Sequence, residues 1–241
     1  PQSQQRLLEA LAATGKPLVL VIMSGRPLTL TKENDLATSI LYAWFQGHEA
    51  GPAIADVLFG NYNPSGKLTM SFPRNVGQVP IYYNYKMTGR PQPSDQAEAQ
   101  KFRSNYLDVS NHPLFAFGYG LSYTTFEYGN IRLSKNEMRA ADRITATVTV
   151  RNTGNFDGEE VVQLYIRDMV GSITRPVKEL KDFQKIFLRK GESREVTFTI
   201  DAEKLKFYNS QLKWVAEAGD FKLFIGTSSN NVKEADFKLL K

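Results

Sequence analysis

Cysteine is absent from all 241 residues, which excludes disulfides and thiolate-held metals and suits cytosol and periplasm alike. Histidine occurs only twice, at His48 and His112, far apart and outside any ligand spacing. A metal site or a Ser–His nucleophile pair is therefore a poor expectation. No apolar run approaches the roughly 20 residues of a membrane-spanning helix. No glycine loop has the spacing that cradles phosphates. Blocks of like charge are missing too: 30 Lys and Arg against 25 Asp and Glu leave a net +5, but the signs alternate. That mixture describes a solvated surface, not a nucleic-acid footprint. The expectation is no cofactor, no metal, no nucleic acid and no membrane.

What is present is dense local punctuation, most of all from Gly51 to Pro73. Gly51 and Pro52 suit the first positions of a helix, where proline's missing N–H is no loss. Ile54, Val57 and Leu58 then make one apolar stripe, and Gly60 suits a left-handed cap. Asn63-Pro64-Ser65-Gly66 has the order of a type I turn, and Leu68, Met70 and Phe72 alternate as a short strand stopped by Pro73. Upstream, residues 3 to 13 predict a helix with Leu7, Leu8 and Leu11 on one face. The unbroken apolar run Leu18 to Met23 predicts a parallel strand buried on both faces, and Ser39 to Trp44 a second strand. This order belongs to an α/β layer, but three strands are few for a parallel sheet. Residues 1–73 are therefore expected to be the tail of a larger α/β domain whose front lies upstream. The first residue is Pro1, so a missing leader carries no weight.

Residues 74–125 lose regular patterning and read as an irregular, Tyr-rich connection between domains, with a polar surface loop from Gly89 to Gln100. From 126 to 241 the period becomes two. Ile144, Ala146, Val148 and Val150 form one alternating row; Val162, Leu164 and Ile166 another; Val196, Phe198 and Ile200, then Phe221, Leu223 and Ile225, two more. Short strands at this spacing predict a β-sandwich of the immunoglobulin or fibronectin type III kind.

Ligands of open α/β sheets sit beyond the carboxyl ends of the strands, which here are followed by Ser24–Pro27 and Gly47–Gly51. Arg26 either offers its donor fork to a sugar hydroxyl or carboxylate, or pairs with a neighbouring acid. Glu49 stands where a helix N-terminus favours a carboxylate, as an acceptor of hydroxyl hydrogen bonds or as a plain cap. Asp56 and Asp108 have no visible partner carboxylate. The tyrosines, Tyr82, Tyr83 and Tyr85 among them, either stack on sugar or fill a domain contact.

The segments GKPLVLVIMSGRPLTL, AWFQGHEAGPAIADVLFGNYNPSGKLTMSFP and PLFAFGYGLSYTTF resemble the C-terminal part of glycoside hydrolase family 3, and within it periplasmic β-glucosidases of Gram-negative bacteria. The sandwich segments extend the resemblance over nearly the whole chain, and NPSGKL with FGYGLSYT makes it specific. It implies the end of a three-layer α/β sandwich followed by a fibronectin type III-like domain. It also implies an upstream barrel and the rest of the α/β domain as partners, a β-glucoside or oligosaccharide as substrate, and a periplasmic or secreted location. Hydrolysis with retention needs two carboxyl groups about 5–5.5 Å apart. In the family the nucleophile lies on the barrel and the acid/base upstream of this chain's first helix. No residue here inherits a catalytic role; Arg26, His48, Glu49 and Tyr119 are the candidates for a substrate rim. Ala50-Gly51 replaces a frequent glycine pair, and Asn105 stands where relatives often have arginine, which counts against contact from Glu49 or Asp108. The alternative is a non-catalytic carbohydrate-binding or assembly module.

Overall fold

The computed structural model describes residues 1–91 and 101–241, so most of the expected loop from Gly89 to Gln100 lies outside it. Its first elements are α1 (Gln2–Ala12), β1 (Val19–Ile22), α2 (Thr31–Leu36), β2 (Ser39–Tyr42) and α3 (Ala50–Leu58). β1 and β2 pair in parallel, Val19 opposite Ser39 and Ile22 opposite Tyr42. Both carboxyl ends therefore open on the same edge. α1 and α2 are joined by a Glu9–Lys32 ion pair. α3 begins one residue before the predicted Gly51, and the chain leaves it through Gly60 at φ +80°, as the cap required.

Burial in this part departs from the sequence pattern. Of the three α1 leucines only Leu8 is buried, and β1 is not covered on both faces: Val19 is half exposed and Met23 more so. A strand composed for a sheet interior, but carrying a single neighbour, keeps its apolar side chains in water. The predicted turn at Asn63–Gly66 does not form, because Asn63 spends its side chain on residues far along the chain. Leu68–Phe72 pairs irregularly with 114–119: the Leu68 amide donates to Tyr119, that of Phe72 to Phe115, and that of Gly118 back to Leu68. Met70 points to solvent.

Beyond this, β3 (Phe126–Tyr128), β4 (Arg132–Leu133), β5 (Glu137–Met138), β6 (Ile144–Asn152), β7 (Gly158–Asp168), β8 (Glu179–Leu188), β9 (Ser193–Ile200), α4 (Ala202–Leu205), β10 (Phe207–Tyr208), β11 (Trp214–Val215), β12 (Gly219–Ser228) and β13 (Asn231–Leu239) build the sandwich. One sheet runs β5-β13-β12-β7-β8; in the other β6 pairs with β9 and with β3 and β4. The four alternating rows of the sequence supply the core: Ile144, Val148, Leu164, Phe198, Ile200, Leu223 and Ile225 are all buried between the sheets. The corners at Asn152–Asn155 and Lys190–Gly191 carry the chain from one sheet to the other instead of closing hairpins. The architecture is a partial α/β segment followed by a fibronectin type III-like sandwich.

Candidate functional site

The parallel pairing of β1 and β2 places Ser24–Pro27 beside Ala43–Glu49. The Tyr42 hydroxyl donates to the Arg26 carbonyl, and the Gly25 backbone lies so close to the Phe45 ring that a β-carbon there would meet it at 2.2 Å. Arg26, His48 and Glu49 are all exposed on this edge. Among the described residues Arg26 makes no ion pair. Glu49 precedes α3 without a side-chain cap hydrogen bond.

Tyr119 lies elsewhere. An aromatic row leads to it from the strand ends: Tyr42 meets Phe72 edge-on at 4.8 Å, Phe72 meets Phe115 at 6.1 Å, and Phe115 stacks on Tyr119 at 5.4 Å. Tyr119 faces an open cleft of about 1030 Å³ between the 112–126 segment and the β12–β13 hairpin. Lys67, Arg74, Glu160, Lys178 and Glu234 also line it, so its walls carry both signs. The Lys178 ammonium sits 4.4 Å from the Phe224 ring centre and donates to the Ser229 carbonyl; burial lowers its pKa. Asp56 accepts from Asn61, and Asp108 is exposed. Among the described residues no group of three potential metal ligands converges.

The two motif segments meet in one joint. Asn63 Nδ2 donates to the Asp157 carbonyl while its Oδ1 accepts from the Ser122 hydroxyl and the Tyr123 amide, each at 2.8 Å. Ser65 and Tyr62 donate to Glu159, which also pairs with Lys185 at 2.6 Å. Lys67 reaches both Glu160 oxygens, at 3.1 and 3.2 Å, and the Tyr128 hydroxyl donates to one of them at 2.9 Å. Burial raises the Glu160 pKa against the pull of Lys67, whereas Lys185, Tyr62 and Ser65 lower that of its neighbour Glu159. Gly118, at φ +81°, offers its carbonyl to buried Gln163; a β-carbon there would meet Gln163 Oε1 at 2.0 Å. Tyr83 stacks on Phe117 at 4.2 Å and accepts from the Leu180 amide, so it belongs to this packing, whereas Tyr82 and Tyr85 are exposed.

None of the joint's anchors in β7 was singled out from the sequence, yet a signal existed. Glu160 and Asp168 fall in phase with the buried row Val162, Leu164 and Ile166, and a carboxylate in a core row needs a partner. Asp168 finds Arg175 at 3.6 Å.

Residues 1–123 match the glycosyl hydrolase family 3 C-terminal domain, and residues 160–229 match the fibronectin type III-like domain. The chain belongs to glycosyl hydrolase family 3. Within that family it is 54% identical over its whole length to a periplasmic beta-glucosidase of Salmonella typhimurium, of which it covers 31%. It is 40% identical, over 99% of its length, to a putative beta-xylosidase of Formosa agariphila, covering 30% of that protein. Its fold superposes on a beta-glucosidase from Listeria innocua, crystallised with laminaribiose, with TM-score 0.95 and 41% identity, over 100% of this chain and 33% of that one. The chain thus spans about a third of the length of these family 3 relatives.

Proposed function

We propose that this chain is the rear part of a retaining β-glucosidase that removes terminal β-linked glucose, and that both reacting carboxylates belong to the part of the protein that precedes it. Its own task is to complete the α/β layer, to present one rim of the sugar site and to brace that rim with the sandwich. The observation that carries this reading is the 54% identity, along the entire chain, to a periplasmic beta-glucosidase three times as long. The exposed apolar residues of the α/β segment support it: Leu7, Leu11, Val19, Met23, Phe45 and Phe59 offer a face for the rest of the α/β domain and a barrel. Arg26, His48 and Glu49 on the strand-end edge are the proposed rim, with Tyr119 reached through the aromatic row. The periplasm is the proposed compartment; no helix among the described residues is long and apolar enough to cross a membrane.

The test is hydrolysis of an aryl β-glucoside by the 241-residue chain alone and after co-expression with a family 3 upstream portion. The chain alone is expected to be inert and the assembly to turn over. Turnover by the chain alone at the rate of a full-length relative would overturn the reading. The second reading, a carbohydrate-binding module, draws on exposed Tyr82 and Tyr85 and predicts oligosaccharide binding lost when both become Ala.

A further inference from the structure

The sandwich carries a second aromatic feature that its core does not use. β10 and β11 form a small antiparallel hairpin in which Phe207 pairs with Val215 and Tyr208 with Trp214. Phe207 points inward, buried beneath the Arg175 guanidinium at 4.0 Å. Tyr208 and Trp214 point outward, 61% and 48% exposed, with ring centres 4.8 Å apart and planes inclined by 49°. The outward face of a small antiparallel hairpin is ordinarily polar, and the core is already closed without these rings.

The turn between the two rings is closed by Asn209. Asn209 Oδ1 accepts from the amides of Gln211 and Lys213, both at 3.0 Å, and the Asn209 amide donates to the Lys213 carbonyl. The Glu203 carboxylate pairs with Lys206 beside the Trp214 side chain. Charge around the rings is mostly cancelled, Lys206 by Glu203 and Lys204 by Asp182, with Lys213 left over. The Tyr208 hydroxyl has no partner among the described residues.

From this arrangement we infer that Tyr208 and Trp214 form a binding platform for a neutral β-glucan chain, separate from the strand-end edge. Counted on this side alone, two aromatic side chains of about 150–250 Å² each, with Leu212 at the hairpin tip, fall short of the about 800 Å² per partner of a standard protein interface. Near-cancelled charge disfavours a polyanion. What fits is a ligand with apolar C–H faces to lie on rings and hydroxyls to meet the polar rim, and pyranose units have both. Rings inclined by 49° follow a curved β-1,3 chain better than a flat β-1,4 ribbon. Glucose as the repeating unit rests on the function proposed above; the platform itself does not.

The experiment is calorimetric titration of the 241-residue chain with laminarihexaose and with cellohexaose. It is paired with tryptophan fluorescence in a Trp44→Phe background, so that Trp214 alone reports. Saturable binding with a change in Trp214 emission is expected, tighter for laminarihexaose. Tyr208→Ala, which removes only an exposed ring, should weaken it about tenfold or more; Trp214→Ala is the second variant should the first misfold by circular dichroism. The proposal falls if the folded chain gives no heat with either hexasaccharide, or if both variants bind as the parent does. It also falls if the platform drives self-association that sugar does not reverse. Tighter cellohexaose binding would overturn the curved-chain assignment. Binding requires no hydrolysis, so an inert co-expressed assembly would defeat the glycosidase reading and leave this result untouched.

Discussion

The sandwich and the α/β segment are built from similar amounts of apolar sequence but treat it in opposite ways. In the sandwich, alternate residues of β6, β7, β9 and β12 disappear completely between two sheets. In the α/β segment Leu8, Leu30, Ala43 and Phe72 are the buried apolar residues, while the outer face of α1 and the ends of β1 stay in water. A β-sandwich closes over its own core; a pair of parallel strands cannot, because both of its faces and both of its edges need neighbours. The largest expected effect breaks this contrast. Phe198→Ala, at 1% exposure, should cost about 3–5 kcal/mol in urea unfolding of the chain, whereas Leu7→Ala should fall within about 0.5 kcal/mol. Equal losses at the two sites would mean that the α/β segment has a closed core of its own.

How much could be read in advance follows the same division. Strands whose alternation matched a core face, such as Ile144 to Val150, were legible because a period of two has one physical outcome when a facing sheet is available. Leu18 to Met23 was legible as a parallel strand, but not its exposure, since burial depends on neighbours that local pattern does not encode. The Asn63–Gly66 turn failed for a related reason. Its residues carry turn propensity, but Asn63 and Ser65 gain more by satisfying Asp157, Ser122 and Glu159 across the joint. Of the proposed rim, the sequence rule for strand ends located Arg26, His48 and Glu49 on one edge. The cleft faced by Tyr119 was not foreseeable, because it exists only where the 112–126 segment meets the β12–β13 hairpin.

The joint between the two regions gives the next effect in size. Lys67 and Glu160 are both largely buried, their side chains 12% and 3% exposed. Lys67→Met leaves a carboxylate in the interior with no cation beside it, only Tyr128 and the Val161 amide, and should destabilise the chain by about 3 kcal/mol. Replacing both, as Lys67→Met with Glu160→Gln, should recover part of that loss, since removing both charges also removes their desolvation. The double variant unfolding as easily as Lys67→Met alone would show that shape, not charge, closes the joint. Tyr119 lies on the same segment as Gly120, whose carbonyl accepts from Lys67, so loosening this pair should also shift tyrosine signals in the near-ultraviolet circular dichroism.

The smallest effect distinguishes two adjacent carboxylates that face opposite ways from β7. Glu159, held by Lys185, Tyr62 and Ser65, has its pKa below the ordinary 4.5; Glu160, dominated by burial, has its pKa above it. For Glu159 the folded state binds its proton less readily than the unfolded chain. The stability it contributes is full above pH 4.5 and is lost as pH falls through the lowered value. For Glu160 the folded state holds the proton longer. Its contribution therefore declines as pH rises from 4.5 through the raised value, and it adds no slope below both. Glu160→Gln should thus flatten the stability profile on the neutral side of 4.5 and leave the acidic limb, to which Glu159 contributes, unchanged. Urea midpoints of parent and variant across that range measure the difference. If the variant instead altered only the acidic limb, Lys67 would outweigh burial at Glu160, and the joint would be held by charge as the sandwich is held by its core.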